Sequence, residues 1–129
     1  MAYVFLAYGM HSCLNAVAGA AGTPGCVLIR ALEPIHGAAA MATRRRLAAG
    51  SVGLTNGPAK LTQALAITLA ANGADLTRGR LTIVPPPRRE RFTVAIGPRV
   101  GITRATDWPL RFAIHGSRYV SRPRPPEPR

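Results

Sequence analysis

The sequence predicts an α+β fold, a curved and mostly antiparallel sheet with a few helices packed outside it. Three observations predict this. The chain has 129 residues, about one ordinary domain. Segments with strand character outnumber those with helical character, and they are not interleaved with helices as βαβ units would be. The clearest helix start is single: Pro58 opens a segment whose Leu61, Ala64, Leu65 and Leu69 share one helical face.

The elements follow in order. Tyr3-Val4-Phe5-Leu6-Ala7-Tyr8 is β-branched and aromatic and meets no breaker before Gly9. Alternation puts Tyr3, Phe5 and Ala7 on one face, and Val4, Leu6 and Tyr8 on the other. A second strand is expected over 11–17. The stretch 18–25 is a turn, rich in glycine and holding Thr23-Pro24-Gly25. The third strand, 26–32, is almost continuously apolar, which predicts burial on both faces. Residues 34–37 punctuate. A short helix over 38–48 carries Arg44-Arg45-Arg46, and 50–57 is a loop. The helix opened by Pro58 takes Asn56-Gly57 as its cap and ends at Asn72-Gly73. Residues 81–84 form a short strand stopped by Pro85-Pro86-Pro87, and 92–96 form another. Segments 110–114 and 119–121 are expected to close as a pair around Gly116. The domain is placed at 1–121, with 122–129 a disordered, basic, proline-rich tail.

Composition bounds the function. One domain's length excludes an enzyme with separate cofactor and substrate modules. Hydrophobic residues reach 47%, too many for a disordered chain, but aromatics are only 5%. Alanine supplies much of the apolar count and buries little area, so the core is thin. The formal net charge is +12, and sixteen of the seventeen basic residues are arginine, Lys60 being the lone lysine. Such a balance implies an anionic partner, most simply nucleic acid. Most individual arginines are solvated side chains on this reading. Cys13 and Cys26 form no C-x-x-C pair and have no histidine at metal-ligand spacing, so no metal, zinc or redox role is expected, and the compartment is a reduced one. The first 22 residues are apolar, yet no basic residue precedes Arg30, so they are read as buried strands and not as an export signal or a membrane span.

Several segments together resemble one family, the alkyladenine (3-methyladenine) DNA glycosylases of base-excision repair. They are Tyr8-Gly9-Met10-His11 with Cys13-Leu14-Asn15, and Val27-Leu28-Ile29-Arg30-Ala31-Leu32-Glu33-Pro34. Next come Leu54-Thr55-Asn56-Gly57-Pro58-Ala59-Lys60-Leu61 with Gln63-Ala64-Leu65. Last are Pro98-Arg99-Val100-Gly101-Ile102 and Pro109-Leu110-Arg111-Phe112, ending near Tyr119-Val120-Ser121. The match is collinear and spans nearly the whole chain except the tail. It corresponds to the second half or so of a typical member, so the single domain is expected to be incomplete.

The resemblance implies roles. A glycosylase everts a nucleotide from the duplex, which needs a wedge, a base pocket, a phosphate grip and an activated water. Tyr8 matches the intercalating tyrosine. Phe5 falls where the family stacks an aromatic, usually tyrosine, and Asn15 matches the asparagine thought to clash with the exocyclic amine of guanine. Met10 and His11 match positions near the same rim, though His11 alone reads as a structural histidine. Arg30 matches the arginine that helps hold the nucleophilic water, with a backbone carbonyl from Val100. An arginine inside an apolar run is costly to bury without a partner, which on its own suggests an anionic or water-filled site beside it. Gly57, Ala59 and Lys60 open a helix whose free N–H groups suit a phosphate.

The expected function is therefore a monofunctional DNA-3-methyladenine glycosylase, a hydrolase of alkylated or deaminated purines that needs no cofactor. The expected partner is double-stranded DNA containing damaged purines, with no membrane and no obligate protein partner, in the cytoplasm or on a bacterial nucleoid. The family's glutamate, in a Glu-x-Glu-Ala-Tyr-like stretch, does not occur in this chain. None of Glu33, Asp75, Glu90, Asp107 and Glu127 replaces it. The chain as written is expected to lack the general base and to be inactive or nearly so. The alternatives are a catalytically dead nucleic-acid-binding remnant and a basic structural protein; the ordered motifs count against the second.

Overall fold

The structure is a computed structural model that describes residues 1–88 and 90–126. Its strands are β1 (Ala2–Ala7), β2 (His11–Val17), β3 (Cys26–Leu28), β4 (Val94–Gly97) and β5 (Arg111–Ile114). Its α-helices are α1 (Ala38–Arg45) and α2 (Pro58–Ala64), and single 3-10 turns lie at Val52–Leu54 and Leu69–Ala71. β1, β2 and β3 form one antiparallel sheet in that order, and β4 pairs antiparallel with β5 in a second. The α+β expectation holds.

Register sorts the first sheet into two faces. Tyr3 pairs with Asn15, Phe5 with Cys13 and Ala7 with His11, while Asn15 also pairs with Leu28. Paired side chains share a face, so Ala2, Val4 and Leu14 lie on the opposite one. That opposite face is the core: Ala2, Val4 and Leu14 pack with Ile67 and Leu76, and Ile29, Leu65 and Leu81 close around them. A second cluster, Met41, Leu54 and Ala64, joins the two helices, with Leu65 touching both clusters.

Tertiary packing overrides several local expectations. The helix starting at Pro58 stops at Ala64, not at Asn72. Ala66 turns left-handed at φ 55°, its N–H donates to the Gln63 carbonyl and that of Ile67 donates to the Thr62 carbonyl. This is a Schellman end, and it swings Ile67 into the core. Asn72, expected as a helix cap, instead accepts from the β1 backbone N–H of Val4 at 2.9 Å. At the front of α2 the cap is Gly57 without a side-chain bond, because the Asn56 Oδ1 accepts from the Lys60 Nζ at 3.0 Å.

The third strand ends at Leu28, short of residue 32, because the chain leaves β2. Leu32 takes Thr55 as partner through its N–H, while the Thr55 hydroxyl donates to its carbonyl at 2.6 Å. Burial on both faces is also corrected: Cys26 and Val27 are exposed. Residues 81–84 are not a strand; the Ile83 N–H reaches the Leu76 carbonyl, but three prolines next in sequence offer no N–H to extend a ladder. Segment 119–121 is not a strand either. The Ser117 hydroxyl accepts from the Tyr119 N–H, winding the backbone into a turn, and β5 takes β4 as its partner.

Arginines are less uniformly solvated than composition implies. Arg44 donates to the Ala64 carbonyl at 2.7 Å, and Arg45 donates to Gln63 Oε1 and the Gly53 carbonyl, so both tie α1 to α2. Arg111 is buried and donates to the carbonyls of Ser121 and Pro123. Of the segment expected as a tail, 127–129 lies outside the described residues, as does Arg89 of the run 88–89.

Candidate nucleic-acid interface

The β1–β2 hairpin carries the first part of the site. In the three-residue connection between the paired Ala7 and His11, the first two residues have positive φ, Tyr8 at 53° and Gly9 at 68°, and the Met10 N–H donates to the Ala7 carbonyl. That is the type I′ pattern, which favours asparagine or glycine at the first position, so a tyrosine there is held in a costly conformation. Its ring gains no burial in return, being 92% exposed. Met10 stands beside it, also exposed.

A cleft of ≈ 230 Å³ opens between this hairpin and the start of α2. It is lined by Tyr8, His11, Cys13 and, across from them, Gly57, Ala59 and Lys60. The wedge and phosphate-grip candidates thus border one concavity, with His11 on its wall.

The non-core face of the sheet holds the pocket candidates. Tyr3 and Phe5 stack with ring centroids 5.6 Å apart, and both remain partly exposed. Asn15 pairs directly with Tyr3 and is almost wholly buried, with 3% exposure. Its Nδ2 donates to the Tyr3 carbonyl at 3.2 Å, and its Oδ1 accepts from the Cys26 thiol at 3.7 Å. Both ends of the amide are therefore assigned.

Arg30 sits just past the point where β3 leaves β2. It is half-buried, and its Nε is enclosed without a hydrogen-bond partner. Burial pushes its guanidinium below the usual arginine range, and it stands near enough to Cys13 and Arg111 for charge to be felt. Burial likewise pushes the Cys13 thiol up, while Arg30 pulls it back. No described carboxylate pairs with Arg30; the ion pair found among the described residues is Arg78 with Asp75, at 2.8 Å. Val100 is half-buried in the loop after β4, and among the described residues no hydrogen bond ties it to the rest of the site. No group of three or more potential metal ligands occurs among the described residues.

The candidates are thus linked through Cys13. It lines the cleft with Tyr8 and Lys60, pairs with Phe5, sits two residues from Asn15 and interacts with Arg30. Sequence reasoning gave Cys13 no role in the site; its i, i+2 spacing to Asn15 in a strand was the available signal.

Residues 1–118 match the family model described as methylpurine-DNA glycosylase. The chain belongs to the methylpurine-DNA glycosylase family. Relatives carrying the name "Putative 3-methyladenine DNA glycosylase" include one from Methanoculleus marisnigri, 47% identical over 94% of this chain and 64% of its own length. One from Bradyrhizobium diazoefficiens is 47% identical over 96% of this chain and 60% of its own length. A third, from Carboxydothermus hydrogenoformans, is 44% identical over 94% of this chain and 63% of its own length. The chain therefore spans somewhat under two thirds of the length of these relatives. Among the described residues, no helix of this methylpurine-DNA glycosylase family member is long and apolar enough to cross a membrane.

Proposed function

We propose that this chain grips duplex DNA and recognises an everted, alkylated or deaminated purine, as the base-recognition part of a glycosylase that hydrolyses the N-glycosidic bond. The observation that carries the reading is Tyr8, an exposed aromatic ring held at positive φ on a hairpin tip beside the Lys60 cleft. A flat ring presented this way suits insertion into a base stack, and strain without burial points to function. Lys60, with the first N–H groups of α2, meets the backbone phosphates. Phe5 and Asn15 form the pocket wall, with Met10 and His11 at its rim.

In this mechanism the water that attacks the sugar sits at Arg30, whose enclosed Nε lacks a protein acceptor, and the Val100 carbonyl accepts from it. A carboxylate must take the water's proton. Glu33, Asp75, Glu90 and Asp107 are all exposed, and Asp75 is engaged by Thr77 and Arg78; Glu127 lies outside the described residues. A general base contributes about 10²–10⁴-fold in rate, and no described carboxylate pairs with Arg30 to act as one.

The test compares duplexes holding hypoxanthine or guanine at one position, by fluorescence anisotropy and by base release. The chain is expected to favour hypoxanthine, Tyr8→Ala to lose about tenfold in that affinity, and release to be slow. Neither preference nor release would overturn the reading. The second reading, a binding remnant without chemistry, is favoured by the exposed carboxylates; release that Arg30→Ala abolishes would exclude it.

A further inference from the structure

Asn15 is a buried primary amide with two N–H groups and two lone pairs to satisfy. One N–H goes to the carbonyl of Tyr3, whose ring stacks on Phe5. The oxygen is met from β3, where the Cys26 thiol donates to it at 3.7 Å. The three groups sit on three neighbouring strands of one face, so a chain of contacts runs Cys26, Asn15, Tyr3, Phe5 across the whole sheet. Asn15 itself presents almost no surface, whereas Cys26 is exposed. A base approaching this wall meets the thiol next to the amide it holds.

We propose that Cys26 is a specificity-determining positioning residue, fixing the Asn15 amide so that the pocket wall distinguishes purines by the substituent at their 2-position. The inference rests on the damaged-purine reading above and deepens it. A thiol is a weak donor, but it is also large enough to fill the space over the amide oxygen. Without it Asn15 keeps the bond to Tyr3 alone, and rotation about its side chain is freed. The consequence falls on discrimination, not on overall grip, because Cys26 does not line the cleft that Gly57, Ala59 and Lys60 border.

Hypoxanthine differs from guanine only in lacking the 2-amino group, so the affinity ratio between the two duplexes measures this wall directly. Cys26→Ala is expected to lower the ratio about fivefold by strengthening guanine-duplex binding while leaving hypoxanthine-duplex affinity unchanged, and Cys26→Ser, which restores a donor, to recover at least half of it. A parallel loss for both duplexes, or an unaltered ratio in Cys26→Ala, overturns the proposal and leaves the glycosylase reading intact. No ratio in the unaltered chain overturns both. Should Cys26→Ala fail to fold, iodoacetamide labelling of the unaltered chain decides. The hypoxanthine duplex is expected to slow Cys26 alkylation severalfold relative to the guanine duplex at equal occupancy, and equal rates overturn the proposal.

Discussion

At the scale of single residues, Tyr8 joins two costs with no visible local return. Its backbone is left-handed and its ring is in solvent. Asn-Gly is the preferred pair for a type I′ turn, so Tyr8→Asn is expected to stabilise the fold by about 1 kcal/mol. Chemical denaturation checks this, and the same variant is expected to lose its preference for hypoxanthine duplex. An unchanged midpoint would mean that the turn holds no strain for the ring to justify. Tyr8, Phe5, Asn15 and Arg30 were nameable from sequence only because collinear motifs marked them. Alternation alone placed Phe5 and Tyr3 on one face correctly and put Cys13 on the face of Asn15, but that Cys13 would also line the cleft needs the packing of α2 against the hairpin. Nor could it show that Cys26 would hold Asn15, since that contact needs the pairing of β2 with β3.

At the scale of elements, the first hairpin, the Pro58 start and α1 were legible, because each rests on local chemistry: β-branched runs, a proline at the first helical position, a break after the last turn. What was not legible was decided by distant partners. Nothing local says that Leu65 should bridge two clusters while Ile67 enters the first of them, yet that demand ends α2 at Ala64. The end is made with alanine at φ 55°, where glycine carries no penalty. Ala66→Gly is therefore expected to raise stability by about 1 kcal/mol, read as a higher denaturation midpoint with an unchanged slope. A lower midpoint would show that the alanine methyl contributes more by packing than its conformation costs. Likewise, the pairing of β4 with β5 was misassigned because Ser117 competes for backbone groups just where a second strand was expected.

At the scale of the whole molecule, charge and apolar surface are both left open. Val94, Ile96, Phe112 and Ile114 share one exposed face of the β4–β5 pair, and most of the positive charge has no acidic counterpart among the described residues. That charge is what composition predicted, but composition could not say which groups are structural. Arg44, Arg45 and Arg111 are occupied by carbonyls within the fold. Lys60 differs, since among the described residues its ammonium makes an exposed local hydrogen bond to Asn56 at the rim of the cleft. A phosphate contact releases condensed counterions, so each adds about −0.9 to the slope of log affinity against log salt. Lys60→Ala is expected to weaken hypoxanthine and guanine duplexes alike and to reduce that slope by about 1, measured by anisotropy from 50 to about 200 mM salt. The ratio between the two duplexes should stay fixed, because it arises from uncharged groups on the sheet face. If the ratio moves with Lys60, grip and discrimination share one surface, and the division between cleft and pocket drawn through Cys13 would have to be abandoned.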